Sequence, residues 1–186
     1  LNTLGWLCGI ATLTATYVNT VRGSRAVICD TRKTTPGLRG FEKYAVLCGG
    51  GHLHRSGLFD AALYKDNHLA HVPLESWTET LSDAIRAARD AATLRFVEVE
   101  VDTLAQLDAV LDIEAGLVDI VLLDNMSTEH LRQAVRRRDQ FRSDVQLEAS
   151  GGVSLNTVAA IAATGVDRIS VGGLTHSVTS LDIGLD

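Results

Sequence analysis

The stretch DIVLLD, residues 119–124, decides the fold. Its apolar residues run unbroken between two aspartates. Such a run suits a strand covered on both faces, as the strands of parallel sheets are. Working outward from Asp119–Leu123, the same short pattern recurs at Ala26–Cys29, Ala61–Tyr64, Phe96–Val101, Val145–Glu148 and Arg168–Val171. Helical periodicity separates most of these strands, at Leu38–Cys48, Trp77–Ala92, Leu104–Leu111, Thr128–Phe141 and Leu155–Thr164. Ala84, Ala87, Ala88 and Ala91 make one expected core face; Leu104, Leu107 and Val110 or Leu111 make another. Gly116 and Gly165 fall between a helix and the next strand, where a left-handed cap is expected. Ser154 is the expected N-cap of the last helix. Parallel strands need crossover helices, so βα units about 25 residues apart predict a parallel sheet. The expected fold class is α/β: a parallel β/α barrel, open or incomplete, with about six βα units forming a single domain over residues 1–186. An open doubly wound sheet is the alternative. No GxGxxG follows the first strand, which weakens a dinucleotide-binding site.

The first 21 residues place Leu4, Leu7, Ala11, Thr14 (through its methyl), Val18 and Val21 at helical spacing. Without a basic segment before them, they predict a core-facing helix rather than a signal peptide or a membrane span. The composition, 46% hydrophobic and 22% charged, is that of a globular domain. The net charge of −6 argues against a broad nucleic-acid or membrane-binding surface and leaves anions only a local basic pocket. Cys8, Cys29 and Cys48 show no metal-ligand spacing, and reduced core thiols in a cytoplasmic protein are expected.

Function is written at the strand ends. Thr31-Arg32-Lys33, Lys65-Asp66-Asn67-His68, Glu100 and Asp102, Asp124-Asn125, Ser150-Gly151-Gly152 and Gly172-Gly173 each close or follow a strand. In β/α barrels these ends converge on one mouth. The first half of the chain supplies cations: Arg32, Lys33, Arg39, His54, Arg55, Lys65 and His68. The second supplies Glu100, Asp124 and two glycine turns. Guanidinium and ammonium groups bind carboxylate or phosphate. Glycine turns bring backbone N–H groups close to phosphate. Opposed carboxylates suit Mg²⁺, sugar hydroxyls or a developing positive centre. The set fits a ligand with carboxylates at one end and a sugar phosphate at the other.

Each element also has a plain structural explanation. Arg32 and Lys33 can be solvated loop cations, and His54-Arg55 can cap the CGGGHLHR turn. Glu98 and Glu100 share a face and can be outward ion-pair partners; Asp124 can cap the next helix. Arg136–Asp139 (RRRD) reads as a solvated helix face. The common placement at strand ends carries the weight.

DTRKTTPGLR, EKYAV, GGGHLHRSGL, LYKDNH, VEVEVD, LLDN, EASGGV and GGLTHSVTSLDIGLD, in that order, resemble the quinolinate phosphoribosyltransferase family over nearly the whole chain. The resemblance implies transfer of phosphoribose from phosphoribosyl pyrophosphate to quinolinate with Mg²⁺. The products are nicotinate mononucleotide, pyrophosphate and CO₂, in NAD synthesis. It implies that Arg32, His54, Arg55 and Lys65 hold the quinolinate carboxylates with Thr31 nearby, and that Lys33 contacts the donor. Glu100 and Asp124 would face the ribose and its Mg²⁺. Ser150, Gly151, Gly172 and His176 would line the 5′-phosphate pocket. Lys33, Lys65, Glu100 and Asp124 are the implied catalytic residues.

Two leucines depart from the family pattern: Leu47 often reads Arg there and Leu53 often reads Asn. The family also carries an N-terminal α/β domain that this sequence lacks, and its dimer shares an arginine across subunits. A homodimer or higher homo-oligomer is therefore expected, as is upstream sequence beyond Leu1. A related protein associated with molybdenum transport shares the glycine turn and HR, but KDNH favours the quinolinate enzyme. The strand-end residues also admit a nicotinate-type phosphoribosyltransferase without decarboxylation, a Schiff-base aldolase using Lys65, or a barrel that binds ligand without turnover.

Overall fold

The computed structural model describes residues 1–184, without the side chain of Asp66; Leu185 and Asp186, which end the last quoted motif, lie outside the described residues. The chain runs α1 (Asn2–Thr20), β1 (Val27–Cys29), α2 (Arg39–Cys48), β2 (Ala62–Tyr64), α3 (Asp66–Leu69), a 3₁₀ turn (Leu74–Ser76), α4 (Trp77–Ala91) and β3 (Val97–Val101). It continues with α5 (Leu104–Leu111), β4 (Ile120–Asp124), α6 (Thr128–Phe141), β5 (Gln146–Ser150), α7 (Val158–Ala162), β6 (Arg168–Ser170) and α8 (Gly173–His176). All six strands join one parallel sheet in the order β1-β6-β5-β4-β3-β2. This is the expected barrel, left open between β1 and β2. The segment from His52 to Asp60 spans that seam. His52 bridges to Cys29 of β1, while the Asp60 carbonyl accepts the Arg95 N–H at 2.9 Å just before β3.

Side chains alternate along each strand between the helices and the barrel interior. Val97, Val99, Val101, Val121, Leu123, Leu147 and Ala149 join the core under the helices. Each such valine or leucine contributes roughly 1.5–3 kcal/mol. The interior row is different. Glu100, Leu122, Glu148 and Arg168 are successive register partners from β3 to β6. Glu98 and Glu100 are both buried, which corrects the outward ion-pair expectation. VEVEV alternates between two covered faces, one apolar and one polar.

Several expectations about faces are corrected. In α1 the buried residues are Gly5, Gly9, Ile10, Thr14 and Tyr17, and Leu4 is exposed. The C-terminal segment crosses this helix: a Cβ on Gly5 or Gly9 would collide with the carbonyl oxygens of Leu181 and Thr179. Most of the expected stripe still faces the core, Thr14 and Val21 buried and Leu7 and Val18 packed against it, while the crossing brings Gly5 and Gly9 inward as well. In α4 the core residues are Trp77, Leu81, Ser82 and Ile85, while Ala87 and Ala91 are exposed; the larger side chains remove more area from water. Arg138, expected on a solvated face, is 2% exposed. Its guanidinium donates to the Val145 carbonyl at 2.8 Å and to Asp167 at 2.6 Å, tying α6 to the entries of β5 and β6. The last major helix is shorter than expected, and Ser154 does not cap it through its side chain. Instead the Thr157 hydroxyl accepts the Ser154 N–H at 2.9 Å. Of the cysteines only Cys29 is buried; Cys48 is exposed. Gly116 and Gly165 do take positive φ, 84° and 93°. No helix among the described residues is long and apolar enough to cross a membrane.

Candidate active site

The C-terminal strand ends surround a cavity of about 830 Å³. Every residue named above as catalytic or substrate-binding lines it: Thr31, Arg32, Lys33, His54, Arg55, Lys65, Glu100, Asp124, Ser150, Gly151, Gly172 and His176. The two other cations from the strand ends do not. Arg39 donates to Thr34 Oγ1 at 3.0 Å and braces the loop after β1. His68 Nδ1 accepts the Lys65 N–H at 3.1 Å and caps α3.

The loop after β1 hangs on Asp30, which is fully buried. Its Oδ2 takes Lys43 Nζ at 2.6 Å and its Oδ1 accepts the His54 N–H at 2.8 Å, so it joins two cation-bearing segments. Burial pushes the Asp30 carboxyl up, opposed by Lys43. Thr175 Oγ1 donates to the Lys33 carbonyl at 2.5 Å, seating this loop on α8. Among the described residues, the side-chain nitrogens of Arg32, Lys33 and Arg55 have no hydrogen bond or ion pair. Arg32 Nε is buried without a partner. Arg55 is 8% exposed; burial, and next the cation of Arg32, lower its pKa. Lys65 is paired instead, its Nζ donating to Glu100 Oε2 at 2.7 Å.

His54 lies deeper, against an acidic floor. Its Nε2 is 2.8 Å from Glu98 and 3.3 Å from Glu148, and Arg168 Nε donates to Glu148 at 2.6 Å. Neither glutamate oxygen facing the ring is aligned as a hydrogen-bond acceptor. Burial lowers the His54 pKa, but Glu148 and Glu98 outweigh it and push it up to about 10. A second ring proton meets an obstacle at Nδ1, which already accepts the Arg55 N–H at 2.8 Å. The proton has another home on Glu98, whose carboxyl is raised by burial and by Glu148. Burial also opposes charge on Glu148, yet His54 and Arg168 hold it low. His54, Glu98 and Glu148 lie close enough to suggest a metal site. The Arg55 N–H on Nδ1 leaves the ring proton on Nε2, so no lone pair faces the glutamates for a metal. With Nδ1 accepting the Arg55 N–H and Nε2 turned toward the two glutamates, His54 supports the cations from beneath in this geometry.

On the opposite wall, Gly151 and Gly152 take successive positive φ of 88° and 58°. A Cβ on Gly151 would collide with the Asn125 carboxamide, so only glycine fits. Asn125, at φ 52°, receives the Ser150 carbonyl on its N–H at 2.9 Å and donates Nδ2 to Asp124 at 2.7 Å. It thereby aims Asp124, and it lines the cavity itself. Asn125 and Glu148 were both missed as site residues. The signal for Glu148 was a lone charge inside an otherwise apolar strand. Ser127, not Asp124, caps α6, accepting the His130 N–H at 3.2 Å. Glu100 and Asp124 each commit one oxygen to a neighbour, and no described residue takes the other. Two hard oxygen donors beside an open cavity fit Mg²⁺, which keeps waters and substrate oxygens in its shell.

The sequence profile described as quinolinate phosphoribosyl transferase, C-terminal domain, matches residues 10–186. The chain belongs to this family. The nicotinate-nucleotide pyrophosphorylase [carboxylating] of Mycobacterium leprae is 52% identical over 186 residues, which is 100% of this chain and 62% of that protein. A probable enzyme of the same name from Bacillus subtilis is 43% identical over 187 residues, 100% of this chain and 61% of that one. The crystal structure of nicotinate-nucleotide pyrophosphorylase from Ehrlichia chaffeensis superposes with a TM-score of 0.85 at 40% identity, covering 100% of this chain and 64% of that one. This quinolinate phosphoribosyl transferase domain thus spans less than two thirds of the length of these relatives. Within it, Leu47 is exposed on α2, and Leu53 packs against the core. Polar support for the glycine turn comes from Arg95, which donates to the Leu53 and His54 carbonyls at 3.4 and 3.3 Å.

Proposed function

We propose that this domain forms the reaction site for phosphoribosyl transfer from phosphoribosyl pyrophosphate to quinolinate, with loss of CO₂. The observation that carries it is the set of unpaired cations, Arg32, Lys33 and Arg55, opening on one cavity opposite Glu100 and Asp124. A protein that pairs most of its arginines leaves these free for an anionic ligand. Arg32, Arg55 and Lys65 take the two carboxylates, supported by Thr31 and, from beneath, by His54. Lys33 meets the donor, while the turns at Ser150–Gly151 and Gly172, with His176, receive the 5′-phosphate. The pyridine nitrogen attacks the anomeric carbon as the pyrophosphate oxygen departs with the bonding pair. Glu100 and Asp124 stabilise the positive charge that develops on the ribose. The N-ribosylated ring is then an electron sink. The carboxylate next to nitrogen leaves as CO₂, and a proton replaces it on carbon. Mg²⁺ held by Glu100 and Asp124 would neutralise charge on the departing pyrophosphate.

Lys65 Nζ donates to Glu100 at 2.7 Å beside Arg32 and Arg55 on the cavity wall, which supports its use here as a carboxylate-binding cation over the Schiff-base alternative. The whole protein is a cytoplasmic homodimer or higher homo-oligomer on this proposal, a setting in which free cysteines stay reduced. The test is CO₂ release and nicotinate mononucleotide formation from quinolinate and phosphoribosyl pyrophosphate by the natural full-length protein. Turnover of nicotinate in place of quinolinate, without CO₂, would replace the proposal with the non-decarboxylating reaction.

A further inference from the structure

Four consecutive backbone N–H groups around Arg55 each end on a side-chain acceptor. The His54 N–H goes to Asp30 Oδ1 and the Arg55 N–H to His54 Nδ1, both at 2.8 Å. The Ser56 N–H goes to Asp60 Oδ2 at 2.8 Å and the Gly57 N–H to Asp60 Oδ1 at 3.0 Å. Loop backbone usually finds its partners in water. Here it is fastened at each of these four residues, in the seam of the barrel. Arg95 completes the fastening, reaching Asp60 Oδ2 at 3.4 Å and the carbonyls of residues 53 and 54.

From this we infer that Asp60, which does not line the cavity, is a positioning residue for quinolinate recognition: it locks residues 56 and 57, directly after Arg55, so that the Arg55 guanidinium is presented to the dicarboxylate. The inference rests on the function proposed above and names a residue that function did not use. The need for such a lock is physical. Arg55 is buried, has no partner of its own and stands beside Arg32. Like charges repel, so a free loop would swing Arg55 out toward water. Asp60 meets the requirement with both oxygens on the N–H groups directly after Arg55. Burial pushes its carboxyl up, and the Ser56 and Gly57 N–H groups with Arg95 outweigh that and hold it low. The acceptor therefore stays ionised through the working range.

The test uses Asp60→Asn and Asp60→Ala in the natural full-length protein, with two measurements. Amide hydrogen exchange at residues 55–57 reads the lock without any substrate. The Michaelis constants for quinolinate and for phosphoribosyl pyrophosphate read its consequence. Loss of one aimed cation predicts a rise of about tenfold in the quinolinate constant, with the donor constant within about twofold. Exchange at Ser56 and Gly57 should speed up in step. Faster exchange with an unmoved quinolinate constant would make Asp60 merely structural. Equal rises in both constants would do the same. Should Asp60→Ala not fold, Asp60→Asn keeps one acceptor oxygen and carries the comparison. A wild-type protein that ignores quinolinate overturns the proposed function, whereas the exchange data still decide whether Asp60 holds the loop.

Discussion

Replacing Arg55 by methionine should strengthen the fold while ruining the site. Arg55 is 8% exposed; its guanidinium makes no ion pair or hydrogen bond to a described residue and faces the cation of Arg32. Truncation therefore leaves no buried partner stranded, which is the usual source of large losses. It removes a desolvated charge and one like-charge repulsion, and the methionine stem keeps the packing. A gain of about 0.5–2 kcal/mol is expected, as when a functional strain is relieved. For a domain of this size, 1 kcal/mol shifts Tm by about 2–4 °C, so Tm should rise by a few degrees. Binding moves the other way. Charge-assisted hydrogen bonds contribute roughly 1.5–3 kcal/mol, so quinolinate affinity should fall about 10- to 150-fold. Thermal unfolding with and without quinolinate reads both effects at once: wild type starts lower and gains from ligand, and the variant starts higher and gains little. A lower Tm in Arg55→Met would show that protein groups already satisfy this cation. Unchanged affinity would remove Arg55 from the carboxylate subsite.

Further outcomes come from the same geometry. Asp124→Asn should lower kcat more than quinolinate affinity in steady-state assays, because its place is on the ribose wall; the reverse pattern would move it to the quinolinate side. Gly151→Ala should lose phosphoribosyl pyrophosphate binding and at least about 1–2 kcal/mol of stability, read by denaturant titration, since φ of 88° and the Asn125 carboxamide both oppose a Cβ. Arg138→Ala should lose about 1–3 kcal/mol, because its bonds to the Val145 carbonyl and Asp167 go while Asp167 keeps Arg25 and the Leu147 N–H; Arg136→Ala, on the exposed face of the same helix, should stay within about 0.5 kcal/mol in the same titration.

The barrel was legible because its signals are local. Runs such as IVLL and the glycines at 116 and 165 declare themselves within a few residues, and each element was found near its expected place. Orientation was less legible, because it is decided by what lies opposite. No periodicity in α1 reveals that the chain's far end will cross it at Gly5 and Gly9. The run Arg136–Asp139 looks uniformly solvated until Asp167, distant in sequence, turns Arg138 inward. Within the site, the strand-end rule found the first ring of residues. It passed over Glu148, one step behind that ring, and it named Asn125 at a strand end without its part in aiming Asp124. Asp60 belongs to the same class: nothing in GLFDA says that its carboxylate serves the backbone of residues 56 and 57.

The cations of this acidic protein divide into two kinds, and the division has a physical origin. Arg138 and Lys43, both buried, and Arg168, partly buried, are paired with carboxylates and hold elements together. Arg32, Lys33 and Arg55 are kept from any carboxylate, although Glu98, Glu100 and Glu148 lie in the same barrel interior. That separation has to be enforced, since a flexible arginine would fold back onto the nearest glutamate. Two devices enforce it here. Lys65 and His54 occupy Glu100 and the Glu98–Glu148 pair. Asp30 and Asp60 fasten the segments that carry Arg32 and Arg55. Removing an occupier should therefore damage binding without touching a ligand contact: in His54→Phe, the emptied glutamates become the natural partners of Arg55. Quinolinate should then compete with an internal ion pair, and its affinity should recover when Glu98→Gln is added. A double variant no better than His54→Phe alone would show that the ring acts through packing, and the charge-sequestration account would fail.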